Sequence, residues 1–398
     1  MVPVKRLLGT EERAESVDTP GVRIVSTSRI PDDAVLARDV RTGYHGAAPL
    51  LRRGTHMNDR LAGALQRAGI GSVYIDDLLG DGITLTPAIS DETRHQASEV
   101  LEHAMKAVRR GPDDRPWIPD AVLAPVIDLV GLLVKEVETC DGSIVSLQDM
   151  AAPEAYWVQH PIDVTVLGLL IGRQLLLHHG WVDHMGTRRY DRLDERLVQL
   201  GQGLLVHDFG QLTVPREIFE KPAQLDPDEW EMMKRHPEAG IELCGSRLTA
   251  VACTVIRLHH ERWDGTGYPK GLAGRAIHPF GRVAAIADVY DAVTSERVHA
   301  PARPPHVGWQ IVVGGSGTSF DSTMVEMFRR VVPPHPPGSE VVVSDGRRGV
   351  VTKVDASAPE RPVVRIGWDE GGSEVTPYEE VVSARALTPV DAAAAVAA

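Results

Sequence analysis

The sequence predicts a mainly α-helical protein, with a small α+β unit ahead of an all-helical central domain and a small β module after it. Apolar residues recur at helical spacing through much of the stretch 118–330. The proline-rich run at 331–340 predicts a domain boundary, and alternating apolar residues around Asp345-Gly346 predict a β-hairpin. A chain of 398 residues is long enough for two or three such domains.

Composition and turn residues divide the chain into segments. Asn58 and Ser90 are predicted helix N-caps, because their side-chain oxygens can accept hydrogen bonds from the first helical turn. The alanine-rich C-terminus is expected to fray. The predicted segments are the loose N-terminus 1–20, the α+β unit 21–110, the helical domain 118–330, the β module 338–386 and the frayed tail 387–398.

Apolar spacing predicts the individual elements within these segments. A strand is expected at 72–75, after the helix that Asn58 begins. Helices in the central domain are predicted at 119–137, 162–177, 195–206, 226–244, 247–259 and 280–295. Three prolines between positions 301 and 305 are expected to end the helical pattern.

Charge and cysteine content restrict the kind of protein. With 42 Lys and Arg against 55 Asp and Glu, the formal net charge is −13, so binding to long nucleic acid is not expected. Three cysteines without a CxxC spacing favour a reducing compartment. The N-terminus has no long apolar leader, and the apolar stretch 164–177 is short and interrupted. These features predict a cytoplasmic protein without a membrane span.

The central domain contains seven histidines and aspartates in ordered clusters. Imidazole and carboxylate ligands suit Mn, Fe or Zn ions. Two such ions about 3.5–4 Å apart can bind the attacking and the leaving oxygen when a phosphodiester is cleaved. A carboxylate has two oxygens to share, so Asp208 is the candidate bridge between two ions. His160 alone is more typical of a core or surface histidine. The seven residues are His160, His207, Asp208, His236, His259, His260 and Asp288.

The segment HHERWDGTGYPKGL at 259–272 strengthens the metal hypothesis. Two histidines and an acid precede a polar segment whose glycines and proline serve no evident packing purpose. Gly265 and Gly267 permit positive φ angles, and Pro269 stiffens the segment. We therefore expect this loop to shape a functional site.

These motifs resemble those of the HD-GYP family of HD-domain metal-dependent phosphohydrolases. Over roughly 118–330, LLVHDFGQLTVP is similar to the family's HD-x-G-K segment, KRHPEAG to its third-histidine segment and QHPIDVTVLGLLIGR to its first-histidine helix. The run HHERWDGTGYPKGLAGRAIHPFGRVAAIADVYDAVTSER resembles the family signature almost throughout. The resemblance implies an HD-type helical fold and metal-dependent hydrolysis of cyclic di-GMP to linear pGpG or GMP.

The resemblance also implies a set of metal ligands. Two divalent transition-metal ions are expected, with Fe or Mn favoured. Asp208 would serve both ions. One ion would take His160, His207, Asp208 and Asp288, and the other would take Asp208, His236, His259 and His260.

The same resemblance implies substrate and partner contacts. Asp208, Gln211 and Tyr268 occupy catalytic positions, and Gly267, Tyr268, Pro269 and Arg297 occupy positions that face substrate. Arg297 matches a family arginine that meets a substrate phosphate. The expected ligand is cyclic di-GMP. A GGDEF-type or other signalling protein could bind through the loop that contains Gly267-Tyr268-Pro269, the GYP loop. The resemblance leaves this partner and a homodimer open.

The sequence departs from the family pattern at several positions. Gln211 stands in place of the Lys of HD-x-G-K, and Ala300 stands in place of a basic residue. Tyr156 occupies the position of the Glu in three-metal members, so two metals are expected. Pro161 is expected to begin or distort the helix that carries His160. Losing a charged hydrogen bond at position 211 would slow catalysis about ten- to a hundredfold.

Three functions therefore remain open at the level of sequence. The first is an active cyclic di-GMP phosphodiesterase, which the intact ligand set favours. The second is a weakly active or inactive receptor or scaffold that binds cyclic di-GMP or a partner protein, which Gln211 and Ala300 favour. The third is hydrolysis of another nucleotide at the same site.

Overall fold

The computed structural model describes most of the chain. The described residues are 22–40, 49–68, 70–83, 87–110, 116–140, 156–219, 221, 223–244, 247–295, 297, 302–355 and 357–390. Within these ranges helical residues outnumber strand residues, the two larger sheets are formed by residues near either end of the described chain, and two short hairpins lie between the helices. The predictions for 1–20, for Ala300 and for most of the tail lie outside the described residues.

The N-terminal unit is a three-stranded antiparallel sheet with one helix. Its elements are β1 (Arg23–Ser26), β2 (Val35–Leu36), α1 (Asp59–Arg67) and β3 (Ser72–Asp76), with strand order β1-β3-β2. Asn58 caps α1 by accepting a hydrogen bond from the backbone N–H of Leu61 at 3.0 Å. The predicted cap and the predicted third strand are both confirmed. Val25, Leu65 and Val73 pack in a small core that belongs to this unit.

The central part is built from helices with two short hairpins between them. Its helices and strands are α2 (Asp91–Lys106), β4 (Arg109–Arg110), β5 (Pro116–Trp117), α3 (Asp120–Thr139), α4 (Tyr156–His179), β6 (Trp181–Val182), β7 (Arg188–Arg189), α5 (Leu193–Leu205), α6 (Arg216–Phe219), α7 (Pro227–Met233), α8 (His236–Cys244), α9 (Ala250–Leu258), α10 (Pro279–Thr294), α11 (Pro305–Gly314) and α12 (Ser322–Val331). One large hydrophobic core runs through most of them.

Helix α2 packs with the helical core, although the sequence grouped it with the α+β unit. Ser90 caps it as predicted, by accepting from the backbone N–H of Thr93 at 3.2 Å. Its residues Ala97, Leu101 and Ala104 are fully buried in the large core. The helical periodicity identified the apolar face but could not show which unit would cover it.

Helix α4 is the central helix of this core. Its length and composition would allow it to cross a membrane, but 83% of its most apolar 18-residue stretch is buried inside the protein. A Cβ atom on Gly168 would lie 2.4 Å from Leu204 Cδ1, so the glycine lets α5 pack closely. The helix begins at Tyr156, so Pro161 lies inside it rather than at its start.

Two departures from the predicted helices concern α7, α8, α11 and α12. The helix predicted at 226–244 is interrupted, because α7 ends at Met233 and α8 begins at His236. Helices α11 and α12 were not predicted. The proline run obscured α11, in which Pro305 takes the first helical position, where a missing N–H costs nothing.

The C-terminal module is a five-stranded antiparallel sheet. Its strands are β8 (Glu340–Val343), β9 (Arg348–Lys353), β10 (Val363–Trp368), β11 (Glu374–Val381) and β12 (Leu387–Pro389), in the order β11-β10-β9-β8-β12. The predicted hairpin at Asp345-Gly346 joins β8 to β9, and Gly346 has a φ of +95°. Strand β12 pairs with β8 in a stretch that the sequence assigned to the frayed tail.

The two sheets at the ends of the chain contact each other. Val22 and Ile83 of the N-terminal unit pack against Val350 of β9. Arg23 is 4% exposed and binds Asp77 at 2.5 Å within its own unit and Glu340 of β8 at 3.4 Å. The sequence predicted two separate units and gave no sign of this contact.

Candidate metal centre

Five elements bring the seven predicted metal ligands to one place. His160 lies on α4, His207-Asp208 follows the end of α5, and His236 begins α8. His259-His260 follows α9, and Asp288 lies on α10. The ligand atoms form two groups, within each of which all atoms lie within 4.8 Å of one another. The first group is His160, His207 and Asp288, and the second group is Asp208, His236, His259 and His260.

Asp208 lies between the two groups and faces both. Its Oδ2 is 3.5 Å from Nε2 of His160 and 3.4 Å from Nε2 of His207. Its Oδ1 is 3.3 Å from Nε2 of His236 and 3.6 Å from Nε2 of His259. One carboxylate oxygen is therefore directed at each group, which is the arrangement that a bridging ligand requires.

Three of the histidines are held in one orientation by the backbone. The Nδ1–H groups of His207, His236 and His259 donate to the carbonyl oxygens of Leu204, Met233 and Ile256, at 2.7, 2.8 and 2.6 Å. In each case the acceptor is the carbonyl three residues earlier. Because Nδ1 carries the proton, Nε2 presents a lone pair to the centre.

Asp291 orients His160 in the same way, and the sequence did not identify it. Its Oδ2 accepts from Nδ1 of His160 at 2.5 Å, and its Oδ1 accepts from the Ser295 hydroxyl at 3.1 Å. Asp291 is buried one helical turn after Asp288 on α10. That three-residue spacing was the signal in the sequence, since residues three apart share a helix face.

The unpaired atoms of the centre fit a cation. Nε2 of His236 and Nε2 of His259 are only 3.2 Å apart, and with both protons on Nδ1 two lone pairs face each other. Among the described residues, neither Nε2 of His207 nor Oδ1 of Asp208 has a hydrogen-bond partner, although both atoms are buried. Buried polar atoms without partners are costly unless an ion or water satisfies them. Imidazole nitrogens around a shared carboxylate are a donor set for divalent transition metals.

The pKa shifts of Asp208, Asp288, His259 and His260 agree with this interpretation, whereas those of His160 and His207 are opposite. Burial lowers the pKa of His160 and of His207, but Tyr156 and the neighbouring carboxylates at His160, and Asp208 at His207, outweigh that effect and raise both values. Burial raises the pKa of Asp208, but His207 and the other neighbouring histidines outweigh that effect and hold this pKa well below its usual value. Burial also raises the pKa of Asp288, but the hydrogen bond with His160 and the neighbouring histidines outweigh that effect and lower it. Burial lowers the pKa of His259 and of His260, so both are neutral near pH 7. Ionised carboxylates and neutral imidazoles are the forms that bind metals.

The GYP loop is fixed beside the second group by Glu261, which the sequence did not single out. This side chain is 1% exposed, and its two oxygens accept from the backbone N–H groups of Lys270 and Leu272, both at 2.9 Å. A Cβ atom on Gly267 would lie 2.4 Å from the His260 carbonyl oxygen, so only glycine fits there. The acid of the HHE motif was the available signal.

The three predicted substrate residues of this loop differ from one another in their position and exposure. The ring of Tyr268 lies over that of His260, with centroids 4.5 Å apart and planes inclined by 30°. Gly267 is half-buried, whereas Pro269 is exposed. Tyr268 therefore borders the metal ligands, and Pro269 lies farther out on the loop surface.

Gln211 and Arg297 occupy two other positions near the centre. Gln211 is half-buried in the 3-10 turn Phe209–Thr213, directly after Asp208, and its N–H donates to the Asp208 carbonyl at 2.9 Å. Arg297 is half-buried after α10, and its Nε has no hydrogen-bond partner among the described residues. Tyr156 stacks on His160 with ring centroids 4.9 Å apart, and burial raises its pKa.

Comparison with known proteins identifies the class of domain. Residues 180–324 match the family model described as an HD domain. The protein is 29% identical over 306 residues to cyclic di-GMP phosphodiesterase PA4108 of Pseudomonas aeruginosa, an alignment that covers 75% of this chain and 69% of the relative. These similarities confirm the resemblance to HD-domain proteins of the HD-GYP type that the motifs predicted. His160, on α4, lies ahead of the matched range.

Shorter alignments relate the chain to two proteins of Vibrio cholerae. It is 42% identical over 134 residues to a cyclic di-GMP phosphodiesterase and 38% identical over 129 residues to 3'3'-cGAMP-specific phosphodiesterase 2. They cover 32% and 31% of this chain but only 27% and 24% of those relatives. The solved structure of Bd1817, a HDG"Y"P protein from Bdellovibrio bacteriovorus, aligns with 77% of this chain and 98% of that one at 15% identity and a TM-score of 0.39, too low to establish a common fold.

Proposed function

We propose that this protein is a metal-dependent phosphodiesterase that hydrolyses cyclic di-GMP to pGpG, GMP or both. The observation that carries the proposal is the convergence of four imidazole Nε2 atoms on the two oxygens of Asp208. A paired site of this kind suits the cleavage of phosphodiesters, and two relatives are named cyclic di-GMP phosphodiesterases.

Two divalent transition-metal ions, iron or manganese, would be held by the two ligand groups. His160, His207, Asp208 and Asp288 would hold one, and Asp208, His236, His259 and His260 the other. When bound, such ions supply hydroxide at neutral pH and stabilise charge on the phosphate oxygens. The carboxylates of Asp208 and Asp288 balance part of the positive charge.

The residues around the ligands position the substrate in this proposal. The Tyr268 ring lies over His260 and limits the space beside the second group. Arg297 brings a positive charge that can meet a phosphate oxygen. Gln211, three residues after Asp208 in the turn that follows it, offers a neutral donor where a lysine would bring a charge. The residue at 211 therefore affects the rate rather than the ability to hold metal.

Another cyclic dinucleotide is a second candidate substrate, because one relative is named a 3'3'-cGAMP-specific phosphodiesterase. A receptor or scaffold that binds cyclic di-GMP or a partner protein is a further candidate, which Gln211 in place of a lysine favours. The cytoplasmic location, the homodimer and a GGDEF-type partner at the GYP loop remain predictions. Turnover distinguishes these functions, because a receptor binds without producing linear products.

The decisive experiment combines metal analysis with turnover of two cyclic dinucleotides. Anaerobically purified protein supplied with Fe²⁺ or Mn²⁺ is expected to hold about two ions and to convert cyclic di-GMP faster than 3'3'-cGAMP, with products separated by chromatography. Asp208→Ala should lose both ions, whereas His160→Ala should weaken mainly one group and His236→Ala mainly the other. Full metal content in Asp208→Ala would contradict the bridge. Tight binding without products would favour the receptor.

A further inference from the structure

Trp230 is an exposed aromatic side chain at the edge of the metal centre. It lies on α7 and is 44% exposed, and none of the seven residues of that helix is buried. Burial in the core therefore does not explain a tryptophan here. A large, rigid and amphipathic ring on the surface beside a site is well suited to contact a ligand.

A row of rings connects Trp230 to the metal ligands. The Tyr268 ring contacts both others: its centroid lies 4.5 Å from that of His260 and 5.8 Å from that of Trp230. The planes of Tyr268 and Trp230 are inclined by 77°, an edge-to-face contact. Trp230 therefore lies one ring beyond the residue that borders the second ligand group.

The N-terminal cap of α7 fixes the backbone of the turn that carries Trp230. The Asp226 side chain accepts from the backbone N–H of Glu229 at 2.9 Å, and the Glu229 side chain accepts from the N–H of Asp226 at 2.9 Å. Lys221 binds the same Glu229 carboxylate at 2.5 Å. Trp230 directly follows Glu229 in sequence. A ring that is positioned in advance loses little conformational entropy on binding.

We propose that Trp230 stacks on a purine base of the substrate whose phosphodiester lies at the metal centre. The inference rests on the proposed function. A base is joined to its phosphate through a single sugar, so it must lie beside the metal ligands rather than over them. Trp157, on the side of His160, is already packed on Phe219 with ring centroids 3.9 Å apart. Trp230 remains exposed, and every purine offers a flat face for stacking.

The test uses matched tryptophan variants of the full chain loaded with Mn²⁺. Trp230→Leu should raise KM for cyclic di-GMP about 5- to 100-fold, the contribution of one base–aromatic stack, with a smaller change in kcat. Trp230→Phe should keep most of the affinity, because it keeps a ring. The control is Trp117→Leu, which alters another exposed tryptophan, 48% exposed on β5, and should leave KM unchanged.

A second substrate separates stacking from damage to the site. Methyl p-nitrophenyl phosphate is a diester without a nucleobase, so Trp230→Leu should raise its KM far less than that of cyclic di-GMP. Equal KM values for Trp230→Leu and Trp117→Leu on cyclic di-GMP would overturn the stacking role alone. Equal losses on both diesters would overturn it too. If the unaltered protein holds its metals but neither binds nor cleaves cyclic di-GMP, the proposed function fails and the stacking role fails with it.

Discussion

At the scale of single residues, the centre depends on which histidine nitrogen faces inward. The carbonyl oxygens of Leu204, Met233 and Ile256 each fix one imidazole by accepting from its Nδ1–H. Every residue has a backbone carbonyl, so the sequence does not show which carbonyls will accept these hydrogen bonds. His160 is the exception among these four histidines, because a side chain, that of Asp291, orients it.

The Asp291 contact leads to a prediction on metal affinity. Asp291→Ala should weaken the ion at the His160 group about 10- to 100-fold, because outer partners of ligating histidines typically contribute that much. The ion held with His236 should be weakened less. Titration with a chelator, followed by elemental analysis, measures both. Asp128→Asn, an exposed carboxylate on α3, is the control, and equal metal loss in the two variants would remove the special role of Asp291.

Gln211 leads to a prediction of improved activity. Gln211→Lys should raise turnover of cyclic di-GMP about ten- to a hundredfold, because a charged hydrogen bond contributes about 1.5–3 kcal/mol and each 1.36 kcal/mol is a factor of ten in rate. Gln211→Met, which has a similar length and no donor, should lower it. The measurement is kcat with equal metal content in all three proteins. If lysine and methionine give the same rate, residue 211 does not contact the phosphate.

At the scale of elements, short breaks between helices place the ligands. The turn after α5 carries Asp208, and it lies directly against the start of α8, which carries His236. Gly210 makes this contact possible, because a Cβ atom there would lie 1.8 Å from the His236 carbonyl oxygen and 2.5 Å from the Gly240 nitrogen. The backbone approach, rather than side-chain packing, therefore sets the distance between two ligands.

The close backbone contact at Gly210 predicts opposite effects for two glycine-to-alanine changes. Gly210→Ala should lower the melting temperature and release metal, because its methyl group would meet backbone that cannot move away cheaply. Gly131→Ala is the matched control, since nothing lies within 4 Å of its Cβ position inside α3. That change should stabilise the protein by about 0.5–1 kcal/mol, the helix preference of alanine over glycine. Thermal melts with metal analysis test both, and a harmless Gly210→Ala would contradict the close approach.

At the scale of the whole molecule, the N-terminal sheet and the C-terminal sheet contact each other although they are far apart in the chain. Strands β1 and β8 lie close together, and the Ile24 N–H donates to the Gly338 carbonyl at 2.9 Å. Helix α2, which follows the N-terminal sheet in the chain, contacts α4, the helix that carries His160, through Arg94, whose guanidinium binds Asp163 at 2.6 Å. Asp163 lies three residues after His160. The ion pair between Arg94 and Asp163 therefore links α2 to the helix that carries His160.

The contact between the sheets predicts a stability effect far from the metals. Arg23→Met should lower the free energy of unfolding by about 2 kcal/mol, because it leaves the largely buried Glu340 and the half-buried Asp77 without their partner. Arg60→Met, at an exposed arginine on α1, should change it by less than about 0.5 kcal/mol. Urea unfolding measures both. Equal stability of the two variants would show that the Arg23 bridges contribute nothing.

The sequence by itself determined the helical class of the central domain and the identity of the centre's residues. The caps at Asn58 and Ser90 and the turn at Asp345-Gly346 are local, because a few adjacent residues decide them. The seven ligand residues could be named because their types and spacing are specific. The structure brings all seven together, as their shared chemistry suggested.

Tertiary structure alone decided what depends on contacts between distant residues. Asp291 and Glu261 act through partners that only the packed helices and loop bring near, and α2 joined the core because α3 and α4 cover its apolar face. Strand β12 formed because β8 offered an unpaired edge. A periodic pattern of apolar residues shows which face of a helix or strand will be buried. Which element covers that face depends on the apolar surface that residues far apart in sequence bury together, and no local pattern contains that information.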